Sequence, residues 1–306
     1  MKNKILLAVV CILTAILFIV IFSVKEVTSP IPVLEGETPI IIRLLNESDN
    51  SITEINLEDY IIGVVAAEMP ASFEMEALKA QAIAARTFAM YKKNTRNLNY
   101  DLIIGTKDQA YKDNKTLLAQ WNVNFFPNYL KIREAVETTK GQVLTYNNEI
   151  INAFYFSMSN GYTENCELVF SQDLPYLNSV SSEWDNESLT NYSFTKTISK
   201  QDFCSSLEIS CDNIEIKDIV RSDSNRILSI TINEKTLKGT EVRTKLGLRS
   251  TDFTIEITND TVNITTKGYG HGVGMSQYGA NGMAKAGYTY EQILKHYYQN
   301  TEISKL

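Results

Sequence analysis

LEDYIIGVVAAEMPASFEMEALKAQAIAARTFAMYKK, residues 57–93, decides the fold. It holds two helical patterns joined by a break at Met69-Pro70-Ala71-Ser72. In the first pattern Leu57, Tyr60, Ile61, Val64 and Val65 fall at the spacing of one helix face, and the next position on that face is Glu68. Burial without a partner disfavours a charged carboxylate, so a Glu at the end of an apolar stripe tends to stay protonated, as a general acid must. Asn56 is the expected N-cap, Asp59 a weak capping-box partner, and Pro70 stops the helix just past the Glu.

The second pattern, from near Glu74, is rich in Ala on nearly every side, which predicts a helix packed closely against its neighbours. Lys79 and Arg86 align on one flank of it. Cations on a mostly buried helix need internal carboxylates or a polar ligand, since unpaired buried charge is costly. A Glu closing an apolar stripe is more commonly a structural ion pair than a catalyst, and periodicity alone does not choose between them.

Outward from this stretch, residues 5–24 form an unbroken apolar run of about the length that crosses a bilayer, preceded by Lys2 and Lys4 and without an obvious cleavage site. This predicts a cytoplasmic tail at 1–4, a transmembrane signal anchor at 5–24 and a Pro-containing linker at 25–38. Residues 39–306 then form one extracytoplasmic domain, or two joined lobes, of a chain in the cell membrane. The expected fold class is α+β, a single-pass N-terminal transmembrane helix followed by a mixed helical and β-rich domain. The net charge of -7 argues against nucleic acid as a partner. Cys11 falls in the apolar run, leaving Cys166, Cys204 and Cys211, which permit one disulfide. Cys204 and Cys211 are the nearer pair, and three unpaired thiols are the alternative.

Further along, residues 94–128 lack a sustained period, and Trp121, Phe125, Phe126 and Tyr129 suit either a sugar-stacking groove or local core. A helix from Lys131 is followed by a hairpin turning at Asn147-Asn148, whose second strand runs into a polar loop at residues 157–164. Residues 193–264 read as β-rich, with a short helix expected within 200–224. Gly268, Gly270, Gly272 and Gly274 surround His271 without the features of a phosphate-binding loop. His271 reads as a hydrogen-bonded structural residue before a catalyst, and two helices are expected at 275–286 and 290–298.

Four blocks, in order, resemble the stage II sporulation protein D family, which includes amidase enhancers. They are VVAAEMPASFEMEALKAQAIAARTFA (64–89), REAVETTKGQVLTYNNEIINAFYFS (133–157), SNGYTENCE (159–167) followed by DLPYL (173–177), and GYGHGVGMSQYGANGMAKAGYTYEQILKHYY (268–298). Asp108-Gln109-Ala110-Tyr111 is similar to a short family element. The resemblance implies a peptidoglycan lytic transglycosylase that cuts the bond between N-acetylmuramic acid and N-acetylglucosamine in denuded glycan strands during engulfment of a spore. Glu68 would be the catalytic residue, with Lys79, Arg86, Ser159, Tyr162 and Gln277 binding substrate. Hydrolysis would need a second carboxylate. Glu164, Glu167 and Asp185 are available, without a reason to prefer any.

Some relatives carry His and Cys near the loop at 156–161 to hold zinc. This chain has no His there and only Cys166, so no metal and no cofactor is expected. The partners implied are glycan strands, a peptidoglycan amidase and a membrane scaffold. A second reading is a non-catalytic, wall-binding enhancer of an amidase, and a third a purely structural member of a membrane complex.

Overall fold

The computed structural model describes residues 12–14, 23–32, 38–105, 107–186, 190 and 192–306. It has mixed helices and sheets, as the α+β expectation requires. The expected transmembrane element is corrected. Among the described residues no helix is long and apolar enough to cross a membrane. Of the predicted span, residues 5–11 and 15–22 lie outside the described residues, as does the predicted tail at 1–4. The helical residues 23–27 include Lys25 and Glu26, and the chain turns at Thr28, whose Oγ1 bonds the Val24 carbonyl (2.8 Å), before Pro30. Charge and proline are the physical reasons no apolar helix runs through this point.

The chain forms two compact units, Met1–Ser72 with Lys92–Lys140, and Phe73–Tyr91 with Gly141–Leu306. In the first, strands Ile41–Asn46 and Ser51–Asn56 pair antiparallel, and Leu102–Ile103 joins the former in parallel. The helix Leu57–Glu68 leaves the second strand directly. Its N-cap is Asn56, whose side chain accepts the Glu58 N–H (2.9 Å). Asp59 does not close a capping box; it accepts the Ile31 N–H (2.9 Å) and so ties down residues 28–32, where Ile31 is buried. Helices Asn114–Trp121 and Phe125–Thr138 complete the unit. Phe125 and Tyr129 are buried and stacked at 5.3 Å, which places both in the local core.

In the second unit the helix beginning at Met75 has Ala77, Ala80, Ala82, Ala84, Ala85 and Ala89 all fully buried, the close packing that its composition predicts. Strands Gln142–Tyr146 and Glu149–Ile150 form a hairpin turning where expected, with Asn147 and Asn148 both at positive φ (51 and 64°), but the second strand, expected over 150–156, stops at Ile150; Glu302–Lys305, and not residues 151–156, extends the sheet as its third strand. Tyr155–Phe156 pairs in parallel with Met275–Ser276. A β-rich section follows, with sheets Phe253–Ile257/Thr261–Lys267/Ser193–Ser199 and Lys235–Lys238/Ile227–Ile232/Ile216–Arg221. Its own core contains Phe203, Ile230, Val242 and Ile264. A disulfide joins Cys204 to Cys211, and Cys166 is a buried free thiol.

Candidate functional site

Glu68 is the last residue of its helix and half-buried. Its Oε1 accepts the Ala110 N–H at 2.9 Å. The donor comes from the Asp108-Gln109-Ala110-Tyr111 segment, and the other three residues of that segment hold it in place. Asp108 pairs with Arg96 (2.6 Å) and accepts the Ile103 N–H (2.7 Å). Gln109 Oε1 accepts from the Tyr60 hydroxyl (2.9 Å), and the Tyr111 ring stacks on Tyr60 at 5.5 Å. Gly63 lets this happen, since a Cβ there would collide with the Tyr111 ring and the Lys112 carbonyl. Nothing local in sequence relates Ala110 to Glu68, so the role of this segment is visible only in the structure.

The remaining predicted site residues belong to the second unit. Lys79 pairs with Glu76 (2.8 Å) and lies 5.7 Å from the Tyr290 ring centre, and Glu76 also accepts the Tyr290 N–H (2.8 Å). Arg86 is fully buried and donates to the Gln142 carbonyl (3.1 Å). Ser159 is fully buried too. Its hydroxyl donates to Asp185 Oδ2 (2.8 Å) and accepts the Gly161 N–H (3.1 Å). Tyr162 has an exposed side chain, while its carbonyl accepts from Arg226 (3.0 Å). Gln277 is buried and opens the helix Gln277–Lys285, which Ser276 caps by accepting the Gly279 N–H (3.1 Å).

The carboxylates considered for a second catalytic role are differently placed. Glu164 is buried, accepting from the Ser222 and Ser224 hydroxyls and from the Asn165 N–H (2.9 Å). Asp185 is buried and also accepts from Ser182 (2.8 Å); burial pushes its pKa up to about 6 against the opposing effect of its hydroxyl donors. Glu167 is exposed, in the short helix Cys166–Phe170. His271 is held by the Tyr155 carbonyl at Nε2 (3.0 Å) and the Val273 N–H at Nδ1 (3.1 Å), which defines a neutral Nε2–H tautomer. Burial, with help from nearby Arg243, lowers its pKa to about 3. It is the structural histidine that the sequence suggests. Gly272, at φ 89°, leaves room for the buried Arg226 guanidinium.

Comparison with known proteins defines the class. A family model described as Stage II sporulation protein matches residues 46–146. The chain is 43% identical to Stage II sporulation protein D of Bacillus subtilis (strain 168), over 92% of this chain and 86% of that protein. It is 42% identical to Stage II sporulation protein D of Bacillus amyloliquefaciens, over 92% and 84%. It is also 31% identical to the Amidase enhancer of Bacillus subtilis (strain 168), over 79% of this chain and 40% of that protein. The chain belongs to the stage II sporulation protein D family.

Proposed function

We propose that this sporulation-family protein is a lytic transglycosylase acting on denuded peptidoglycan strands, with Glu68 as its single acid and base. The observation that carries the reading is the clamped Glu68 carboxyl, fixed by the Ala110 N–H at the end of an apolar helix. Protonated Glu68 donates to the glycosidic oxygen between N-acetylmuramic acid and N-acetylglucosamine as the C–O bond breaks. The resulting carboxylate takes the proton of the muramic hydroxymethyl group, whose oxygen closes the anhydro ring. Water is not consumed and the carboxyl ends protonated, as it began. A hydrolytic glycosidase uses two flanking carboxylates. Of the three carboxylates considered for that role, Glu164 and Asp185 are committed to internal hydrogen bonds, and Glu167 is exposed in a short helix.

In this reading the exposed Tyr162 ring contacts glycan, and Lys79, partly exposed beside Glu76, meets the muramic carboxylate. Buried Arg86, Ser159 and Gln277 act as positioning residues. The Cys204–Cys211 disulfide supports action outside the cytoplasm, since disulfides persist in oxidising compartments. The partners proposed are glycan strands, a peptidoglycan amidase and a membrane scaffold, in engulfment.

The similarity to the Amidase enhancer favours a second reading, a wall-binding protein that stimulates an amidase without cutting glycan. One digest separates the two: purified denuded strands incubated with wild type or Glu68→Ala, the products weighed by mass spectrometry. Anhydromuramic ends from the wild type alone establish the transglycosylase. Reducing ends mean hydrolysis, and no cleavage by either protein moves the enhancer reading ahead.

A further inference from the structure

The loop that holds Glu68 has a second side. Immediately after Ala110, Tyr111 turns into the wall of a cavity of about 370 Å³ within the first unit, bounded by residues 111–115, Asp59, Tyr129 and the strap at Thr28 and Pro30. The volume lies at the lower end of the roughly 300–1,000 Å³ range of small-ligand sites. Its chemistry is specific in three respects. Two phenols line it, half-buried Tyr111 and buried Tyr129, and burial raises the Tyr111 hydroxyl to about 12, so that it remains a donor near neutral pH. Asp59 offers a carboxylate whose Oδ1 is taken by the Ile31 N–H, and the hydrogen bonds among the described residues leave Oδ2 for a ligand. The lining charges balance, Asp59 and Asp113 against Lys112 and Lys115, so the cavity favours neither an anion nor a cation.

A neutral ligand carrying many hydroxyls and an apolar ring face meets all three conditions. We infer that this cavity is a saccharide subsite that takes a neutral N-acetylhexosamine unit. Sugar hydroxyls donate to Asp59 and accept from Tyr111 and Lys115, and the ring lies against phenol carbons. The identity of the sugar rests on the glycan reading above. Because Ala110 and Tyr111 are adjacent, a strand seated here steadies the segment that fixes Glu68.

The test is calorimetric titration of the full chain with the N-acetylglucosamine trimer, a neutral probe. Wild type binds it, while Tyr111→Phe and Asp59→Asn weaken binding by about tenfold, the equivalent of one lost hydrogen bond in a site. Lys115→Ala, at an exposed side chain, weakens it several-fold and keeps the test open should the strap fail to fold in Asp59→Asn. Affinity unchanged in all three cavity variants overturns the inference, as does absence of binding to folded wild type. Tighter binding of tripolyphosphate than of the trimer overturns the neutral ligand class. Trimer binding without strand cleavage sinks the catalytic reading and leaves the subsite standing; cleavage without trimer binding does the opposite.

Discussion

The Ala110 N–H that fixes Glu68 is a backbone donor, so its hold persists when the side chain is altered conservatively. Glu68→Gln keeps an oxygen to accept this bond and loses only the transferable proton. We expect its thermal melt to match the wild type, with release of anhydromuramic ends falling by about 10²–10⁴-fold, the usual contribution of a general acid–base group. Cleavage at the wild-type rate would remove Glu68 from the chemistry. Gly63 provides a second test. In a bare helix Gly→Ala stabilises by roughly 1 kcal/mol. At Gly63 the new methyl meets the Tyr111 ring and the Lys112 carbonyl, so Gly63→Ala should instead destabilise by about 1–3 kcal/mol, the range for overpacking. Urea melts read the sign, and strand digestion shows whether displacing residues 110–112 also slows cleavage.

At the scale of elements, the segment from Asp108 to Tyr111 is as much a part of the site as the helix it clamps. Asp108 is its anchor, bonded to Arg96 and to the Ile103 N–H with its carboxylate almost fully buried. Asp108→Asn keeps a carbonyl for Ile103 and loses the charge that Arg96 and Lys92 face. The expected result is a loss of about 1–3 kcal/mol in stability, with cleavage reduced further than the Glu68 geometry alone would suggest. Far-ultraviolet circular dichroism should show the helices intact. The helix Leu57–Glu68 and its Asn56 cap were legible because their signals are local: apolar spacing, a capping residue and a terminating proline. Strand Ser51–Asn56 was not, since most of its side chains are exposed and carry no alternation, and its pairing with Ile41–Asn46 creates it. Helix Asn114–Trp121 buries only Leu117 and so offers no apolar face to read. The pairings of Glu68 with Ala110, Ser159 with Asp185, and Arg226 with the space at Gly272 join residues far apart in sequence. No window contains both members, and charge or polarity alone does not choose a partner.

Across the whole molecule, stability depends on one covalent condition and one electrostatic condition. The β-rich section has its own core, and the disulfide across its helix Lys200–Leu207 closes a short loop. Chain entropy puts reduction at about 2.5 kcal/mol for a loop of this size, so a reductant should lower the urea midpoint. The pH dependence is less obvious, because two groups, His271 and the buried Asp185, pull in opposite directions. The folded state holds His271 neutral, with its pKa down at about 3 from an ordinary 6.5; below pH 6.5 the unfolded chain takes a proton there that the folded chain refuses, and stability falls with pH. Asp185 is raised to about 6 from 3.8, so below pH 6 the folded chain takes a proton that the unfolded chain refuses until 3.8, and stability rises as pH falls. Between about pH 6 and pH 4 the two slopes, each roughly 1.4 kcal/mol per pH unit, cancel. Asp185→Asn removes one of them. Its stability, relative to wild type in urea melts, should therefore decline by about that slope for each unit from pH 6 to pH 4, while the two proteins run parallel above pH 7. Parallel curves throughout would mean that Asp185 is already ionised at pH 4, and that its burial is relieved by the hydroxyls of Ser159 and Ser182 more fully than the raised pKa implies.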